Sequence, residues 1–207
     1  MIYISGQPFD PAALLEEYPP ESAERTVLAK MRESESGYRF DSVDQLKFEL
    51  RLRAGIVDAA RRLDRSGFDF AVFLKSRCNP NFWEKKENGG WLLKDGVSPA
   101  AAIRDILTNG RAYATECATA MVIVLYKALL EIFSDERFDR LFPRIYLMNW
   151  HSLDRLIREF GDPGPAADIL PGDRAYFANP DVDPQTPEWQ GENVIVLPGG
   201  QDDHVFP

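Results

Sequence analysis

The chain is poor in the residues that staple small proteins together. Its 207 residues include two cysteines, Cys78 and Cys117, and two histidines, His151 and His204. So few thiols exclude a disulfide framework as the basis of the fold and point to synthesis in the cytoplasm with reduced cysteines. No CxxC or HxxxH pair is present. Structural zinc needs such close pairs, so no metal site and no cofactor is expected. Basic residues are outnumbered, 24 Lys and Arg against 33 Asp and Glu, for a formal charge of −9. Phosphate backbones require a basic surface, which excludes nucleic acid as the main partner and leaves lysine-rich proteins open. The longest apolar run, residues 118–130, is interrupted by Lys127 and is too short to cross a bilayer, so no membrane insertion is expected. The first residues, Met1-Ile-Tyr-Ile-Ser-Gly, lack the basic and apolar regions of a secretory signal. Repeats and low-complexity tracts are absent too, and the length suits a single domain over residues 1–207 with a proper core.

What is present is strong periodicity. Residues 1–40 mix a short apolar, strand-like start with charged turns at Pro8, Pro11, Pro19 and Pro20. Ser42-Val-Asp-Gln45 then reads as a capping box. Val43, Leu46, Leu50, Ile56, Val57, Ala60 and Leu63 follow at helical spacing, with Gly67 placed for the C-terminal cap. Residues 70–74 are a short apolar run, strand or helix. Trp83 and Trp91-Leu-Leu93 flank a Glu-Asn-Gly-Gly turn and predict a hairpin. Residues 99–107 predict a short helix with Pro99 in its first turn, closed by Asn109-Gly110. Residues 118–133 are apolar almost all round, so this helix belongs inside the domain. Later segments, 144–150, 174–178, 193–197 and 203–206, read as strands separated by Pro and Gly turns, including Asp162-Pro-Gly-Pro165. A buried helix packed on a later antiparallel sheet is an α+β architecture of the papain-like kind.

Cys117 stands at the start of that helix, in Tyr113-Ala-Thr-Glu-Cys117-Ala-Thr. A helix N-terminus presents unpaired N–H groups and partial positive charge, the setting in which cysteine nucleophiles are activated and oxyanions received. By itself the residue reads equally well as a small core cysteine. Cys78 follows Lys75 and Arg77, whose charges favour a thiolate, but it sits in a turn with no helix behind it and is read as incidental. Candidate partners for Cys117 are the adjacent Glu116, Glu192 at the head of a strand, and His204 one turn later. Trp150, His151 and Trp189, beside turns, are either core or the walls of a groove for an extended side chain.

These segments together resemble the spore-coat transglutaminases of spore-forming bacteria. The resemblance is carried by Ala101-Ala-Ile-Arg-Asp-Ile, Tyr113-Ala-Thr-Glu-Cys-Ala-Thr-Ala, Asn179-Pro-Asp-Val-Asp-Pro-Gln and Trp189-Gln-Gly-Glu-Asn-Val-Ile. Upstream, Phe48-Glu-Leu-Arg-Leu-Arg and Phe73-Leu-Lys75 extend it over nearly the whole chain. It implies a fold similar to the NlpC/P60 papain-like enzymes and calcium-independent transfer of glutamine acyl groups to lysine amines. It implies Cys117 as nucleophile, Glu192 as the catalytic carboxylate, Glu116 in a partly overlapping role, and Phe70, Trp150 and Trp189 as rings gating the substrate path. We assign His151 and Asn193 to substrate binding as well. His204 is the weakest match: its motif Asp202-Asp-His-Val is not the family's, and family members run on where this chain ends at Pro207.

The expected chemistry begins with attack of Cys117 on a glutamine carboxamide. Glu192 exchanges the proton, ammonia leaves, and a thioester shielded from water is taken by a lysine amine that Glu192 or Glu116 deprotonates. Burial beside apolar rings is the general means by which a carboxylate is tuned for such work. Substrates are then proteins with accessible Gln and Lys, of the coat type, and the site of action is the spore coat surface if the source sporulates. Two alternatives differ in outcome: a papain-like amidase that passes the thioester to water, and an inactive scaffold that binds proteins through the aromatic groove.

Overall fold

Helix-forming segments set the frame. The computed structural model describes residues 1–149, 153–157, 168–183, 185–186 and 189–199, and the backbone of 205–206. Helix α3, Val43–Arg65, begins where the capping signal places it, with the Ser42 hydroxyl accepting the N–H of Gln45. The return bond differs by one residue: Gln45 Oε1 accepts the N–H of Asp41, 2.5 Å away. The helix ends at Ser66 with Gly67 at φ 80°, a left-handed conformation that glycine adopts without penalty.

α3 serves two cores. Its first half, Leu46 and Leu50, packs with Ile2, Val27, Leu28 and Met31. Its second half, from Leu52 to Leu63, faces α5, Cys117–Ile132, the apolar helix at the centre. Gly55 lets the two helices meet closely, since a Cβ there would lie 3.3 Å from the Cβ of Ala128. α5 buries eleven of its sixteen residues, Lys127 among them, whose ammonium pairs with Glu131 one turn on. Burial on most sides is what its sequence demands.

Within residues 1–40 the structure contains more than turns. β1 (Ile2–Ile4) pairs antiparallel with β2 (Gln7–Phe9) and parallel with β3 (Tyr38–Phe40). Helices α1, Ala12–Leu15, and α2, Ala23–Glu33, lie between, the latter capped by Ser22. The expected hairpin forms from β5 (Trp83–Lys85) and β6 (Trp91–Leu93). The segment predicted as a strand over 144–150 contributes only β8, Tyr146–Leu147, which joins β6 rather than the later sheet. Residues 70–74 divide: Asp69–Phe70 is a strand, β4, and Phe73–Lys75 a 3-10 turn. α4, Pro99–Thr108, has Ser98 as its cap, and α6 covers Asp135–Leu141.

β4 pairs in parallel with β7, Ala114–Thr115. The last sheet has the order β11-β10-β9, all antiparallel, with β9 at Arg174–Ala178, β10 at Gly191–Val196 and β11 at Val205–Phe206. α5 rests on β10 through the apolar face that includes Ile195. The result is a mixed α+β fold in which the strands of the described residues form four small sheets. No helix among the described residues is long and apolar enough to cross a membrane. The turn at 162–165 lies outside the described residues.

Candidate active site

The chain reaches Cys117 from β7. Phe70 of β4 is in register with Thr115, and Ala71 donates its N–H to the Thr115 carbonyl at 3.0 Å, so Phe70 is fixed two residues from the thiol. At Glu116 the backbone turns into α5. Glu116 is the N-cap: one carboxylate oxygen accepts the N–H of Ala118 at 2.6 Å and the other that of Thr119 at 2.8 Å. The Thr119 hydroxyl lies between this carboxylate and the Met148 carbonyl. Two of the helix N–H groups expected to face a substrate are therefore occupied by the chain's own carboxylate. Burial pushes the Glu116 carboxyl above the usual carboxylate range, against the lowering pull of the Thr119 and Ala118 hydrogen bonds.

The sheet supplies the opposite side. Asn193 of β10 is buried and donates from Nδ2 to the sulfur of Cys117 at 3.3 Å. Its Oδ1 accepts a hydrogen bond of 3.0 Å from Nη1 of Arg174 on β9. From the sequence Asn193 is expected at the substrate and Arg174 has no expected role. The signal was latent in strand alternation: Arg174 pairs with Ile195 and Tyr176 with Asn193, so all four side chains share the face turned to α5.

Two cavities meet at the thiol. One of about 340 Å³ runs from Cys117 past Met121, Phe68 and Asp64. Another of about 300 Å³ opens toward Phe177 and Asn179. Cys117, Phe70, Trp189 and Glu192 border both. Phe70 and Trp189 stack, with ring centroids 5.3 Å apart and planes at 26°, and both remain about half exposed. Glu192 is exposed and shares these cavities with Cys117, while the side chain in hydrogen-bond contact with the sulfur is Asn193. Trp150, His151 and His204 lie outside the described residues.

Cys78 is held differently. It is half-buried against the main core, and burial pushes its thiol up to about 11, outweighing the nearby lysine charges Lys85 and Lys94. The expectation that Lys75 and Arg77 favour its thiolate is thereby corrected: desolvation is the larger effect.

Glu116→Ala removes a bidentate cap and is expected to lower stability by about 1 kcal/mol and to reduce, not abolish, whatever chemistry Cys117 performs. Thermal melts with parallel assays check this. Glu116→Gln gives a pH test. A carboxyl raised above its ordinary value near 4.5 stabilises most below that value, and its contribution is lost as pH rises through the folded value. The stability of wild type relative to Glu116→Gln is thus expected to fall as pH rises above the ordinary value near 4.5; a constant difference contradicts it.

A thiol at the head of a buried helix, bordered by a carboxylate and open to two cavities, has the parts of a covalent acyl-transfer site. The comparisons give that class a family. A sequence model of the protein-glutamine gamma-glutamyltransferase family matches residues 1–203, and the chain belongs to this family. It is 45% identical over 182 residues to the protein-glutamine gamma-glutamyltransferase of Bacillus mycoides (strain KBAB4), covering 87% of this chain and 65% of that protein. The protein of the same name from Bacillus cereus (strain G9842) is 44% identical over the same shares. The chain thus spans slightly under two thirds of the length of the curated relatives it matches. In fold it is similar to the transglutaminase from Geobacillus stearothermophilus (without C-terminal extension), with a TM-score of 0.68 and 48% identity over 75% of this chain and 73% of that one.

Proposed function

We propose that the chain is a single papain-like, NlpC/P60-type domain that catalyses calcium-independent protein-glutamine gamma-glutamyl transfer, with Cys117 as nucleophile. The observation that carries this reading is the meeting of two cavities at one thiol: an acyl donor and an amine can approach the same sulfur from different sides. Cys117 sulfur attacks the glutamine carboxamide carbon, the carbon–nitrogen bond breaks, and Glu192 passes the thiol proton to the departing ammonia. A lysine amine then attacks the thioester and gives its proton to Glu192, and the thiol leaves as the isopeptide forms. Asp64, Asp69 and Glu192 line the larger cavity, an acidic wall that suits a cationic amine. The smaller cavity offers the neutral Asn179 and the Phe177 ring, suited to a carboxamide. Glu116, with both oxygens held by the helix, acts here by fixing the nucleophile's position.

Protein substrates with exposed Gln and Lys follow from this reaction, and coat-type proteins at the spore surface are our reading of their nature. The chain's net charge of −9 favours encounter with lysine-rich partners. Incorporation of a fluorescent primary amine into a glutamine-bearing protein in the presence of EDTA tests the proposal; dependence on calcium, or no incorporation, overturns it.

Hydrolysis is the second reading, favoured by the half-exposed state of Phe70 and Trp189, which leaves water near the sulfur. The two activities compete for one thioester, so the stacked pair sets the partition. Trp189→Ala is expected to raise the ratio of ammonia released to amine incorporated about tenfold, on the scale of a lost aromatic contact of about 1.4 kcal/mol. An unchanged ratio would remove water exclusion from the role of this ring.

A further inference from the structure

We infer that Asn193 is a catalytic residue, donating to the Cys117 sulfur, and that Arg174 is a positioning residue that sets the orientation of the Asn193 amide. The inference rests on the transferase reading above and deepens it.

An amide side chain presents two chemically different ends that differ little in shape, so what it contacts decides which end faces which partner. At Asn193 the choice is forced by the neighbour. Arg174 has only donors, so the atom it meets at 3.0 Å must be the Asn193 oxygen. The NH2 end then points at sulfur, 3.3 Å away. A reversed amide would set two donors against each other and a carbonyl oxygen against the sulfur. The guanidinium also polarises the amide: a charged donor on Oδ1 makes the N–H groups on the other end stronger donors. Negative charge on sulfur is therefore supported by a positive charge that never touches it.

The fold makes the arrangement rigid. Asn193 is 6% exposed and lies on the sheet face that packs on α5, with Arg174 diagonal to it across the β9–β10 ladder. The antiparallel register therefore fixes the spacing. Gly191, on the same face, keeps the space open. A Cβ there would come within 2.3 Å of the Tyr176 hydroxyl, whose ring lies across β10 beside Asn193. During attack the bond between sulfur and the carboxamide carbon forms and the carbonyl π electrons move to oxygen. The donor that held the sulfur's charge is then beside the tetrahedral centre, where a hydrogen bond lowers the barrier.

Alkylation of Cys117 by iodoacetamide, followed by mass spectrometry of its peptide, tests this without requiring transfer activity. The sign of the change separates the two possible roles. A residue that only covers the sulfur exposes it when trimmed, and alkylation speeds up. A donor that supports the thiolate slows alkylation when removed. For Asn193→Ala we expect alkylation at neutral pH to slow about tenfold. Its pH profile should move up, with the same surrounding groups (Asp64, Asp69, Glu116, Glu192) as in wild type. The kcat for amine incorporation should fall about a hundredfold with little change in KM. Arg174→Met should shift alkylation and kcat in the same directions by about tenfold, and Arg174→Lys, which can still donate to Oδ1, should restore most of both. Arg174→Met should add nothing further in the Asn193→Ala background. Faster alkylation of Asn193→Ala, an unmoved pH profile in cooperatively melting variants, or additive losses in the double variant overturns the inference. Wild type that alkylates as expected but transfers no amine would instead refute the transferase reading and leave the relay standing.

Discussion

Cys117→Ala is expected to eliminate both ammonia release and amine incorporation, a loss of at least about four powers of ten, the scale seen when a covalent nucleophile is deleted. The size follows from the absence of a substitute. Among the described residues the other thiol, Cys78, packs against the main core and is pushed up to about 11, so it carries little thiolate at neutral pH and borders neither cavity at the site. Stability should change little, within about 1 kcal/mol, because the substitution trims one atom from a partly buried position. Two assays and a melting curve suffice: a variant that melts like wild type yet releases no ammonia places the lesion in chemistry. Residual incorporation well above background would assign the acyl carrier elsewhere.

Glu192→Gln comes next in size. It preserves shape while removing the group proposed to move protons in both half-reactions, so kcat should fall by about 10²- to 10⁴-fold. The contrast with Glu116 gives the prediction its force. Glu116 has both oxygens engaged at the helix N-terminus, whereas Glu192 is exposed and borders both cavities. Glu116→Gln should therefore cost less than about tenfold, since glutamine keeps one capping oxygen. Equal losses in the two variants, or the reverse order, would transfer the proton-moving role to Glu116. Steady-state kinetics on both, with ammonia and amine measured together, decides between these outcomes.

Much of this was legible in the chain because it is local. Ser42, Pro99 and the apolar sequence after Cys117 announced α3, α4 and α5 to within a residue or two, since end signals and periodicity are written in consecutive positions. The hairpin around Gly89-Gly90 was equally plain. What failed was pairing at a distance. Residues 144–150 carry the right composition for a strand, yet β8 joins the Trp91 hairpin, a choice made by packing around Trp91 rather than by its own sequence. In residues 1–40 the prolines masked α2, whose helical face, Val27, Leu28 and Met31, is short.

The site divides along the same line. Cys117 and its place at a helix start could be read directly, and so could the likeness of its surroundings to a family. That Glu116 caps its own helix was implicit in its position but competed with a more active role. The Asn193–Arg174 pair needs the register of β9 against β10, set across a connection of a dozen residues that no short pattern encodes.

Whether Cys117 carries the acyl group is decided by trapping that group on the protein. Wild type is mixed with a short glutamine-containing peptide without any amine, quenched in acid within seconds, digested, and its cysteine peptides are weighed. The expected result is an adduct on the Cys117 peptide equal to the substrate less ammonia, absent from Cys117→Ala and discharged by added lysine amine. An adduct on Cys78, or amine incorporation with no adduct on either cysteine, would contradict it.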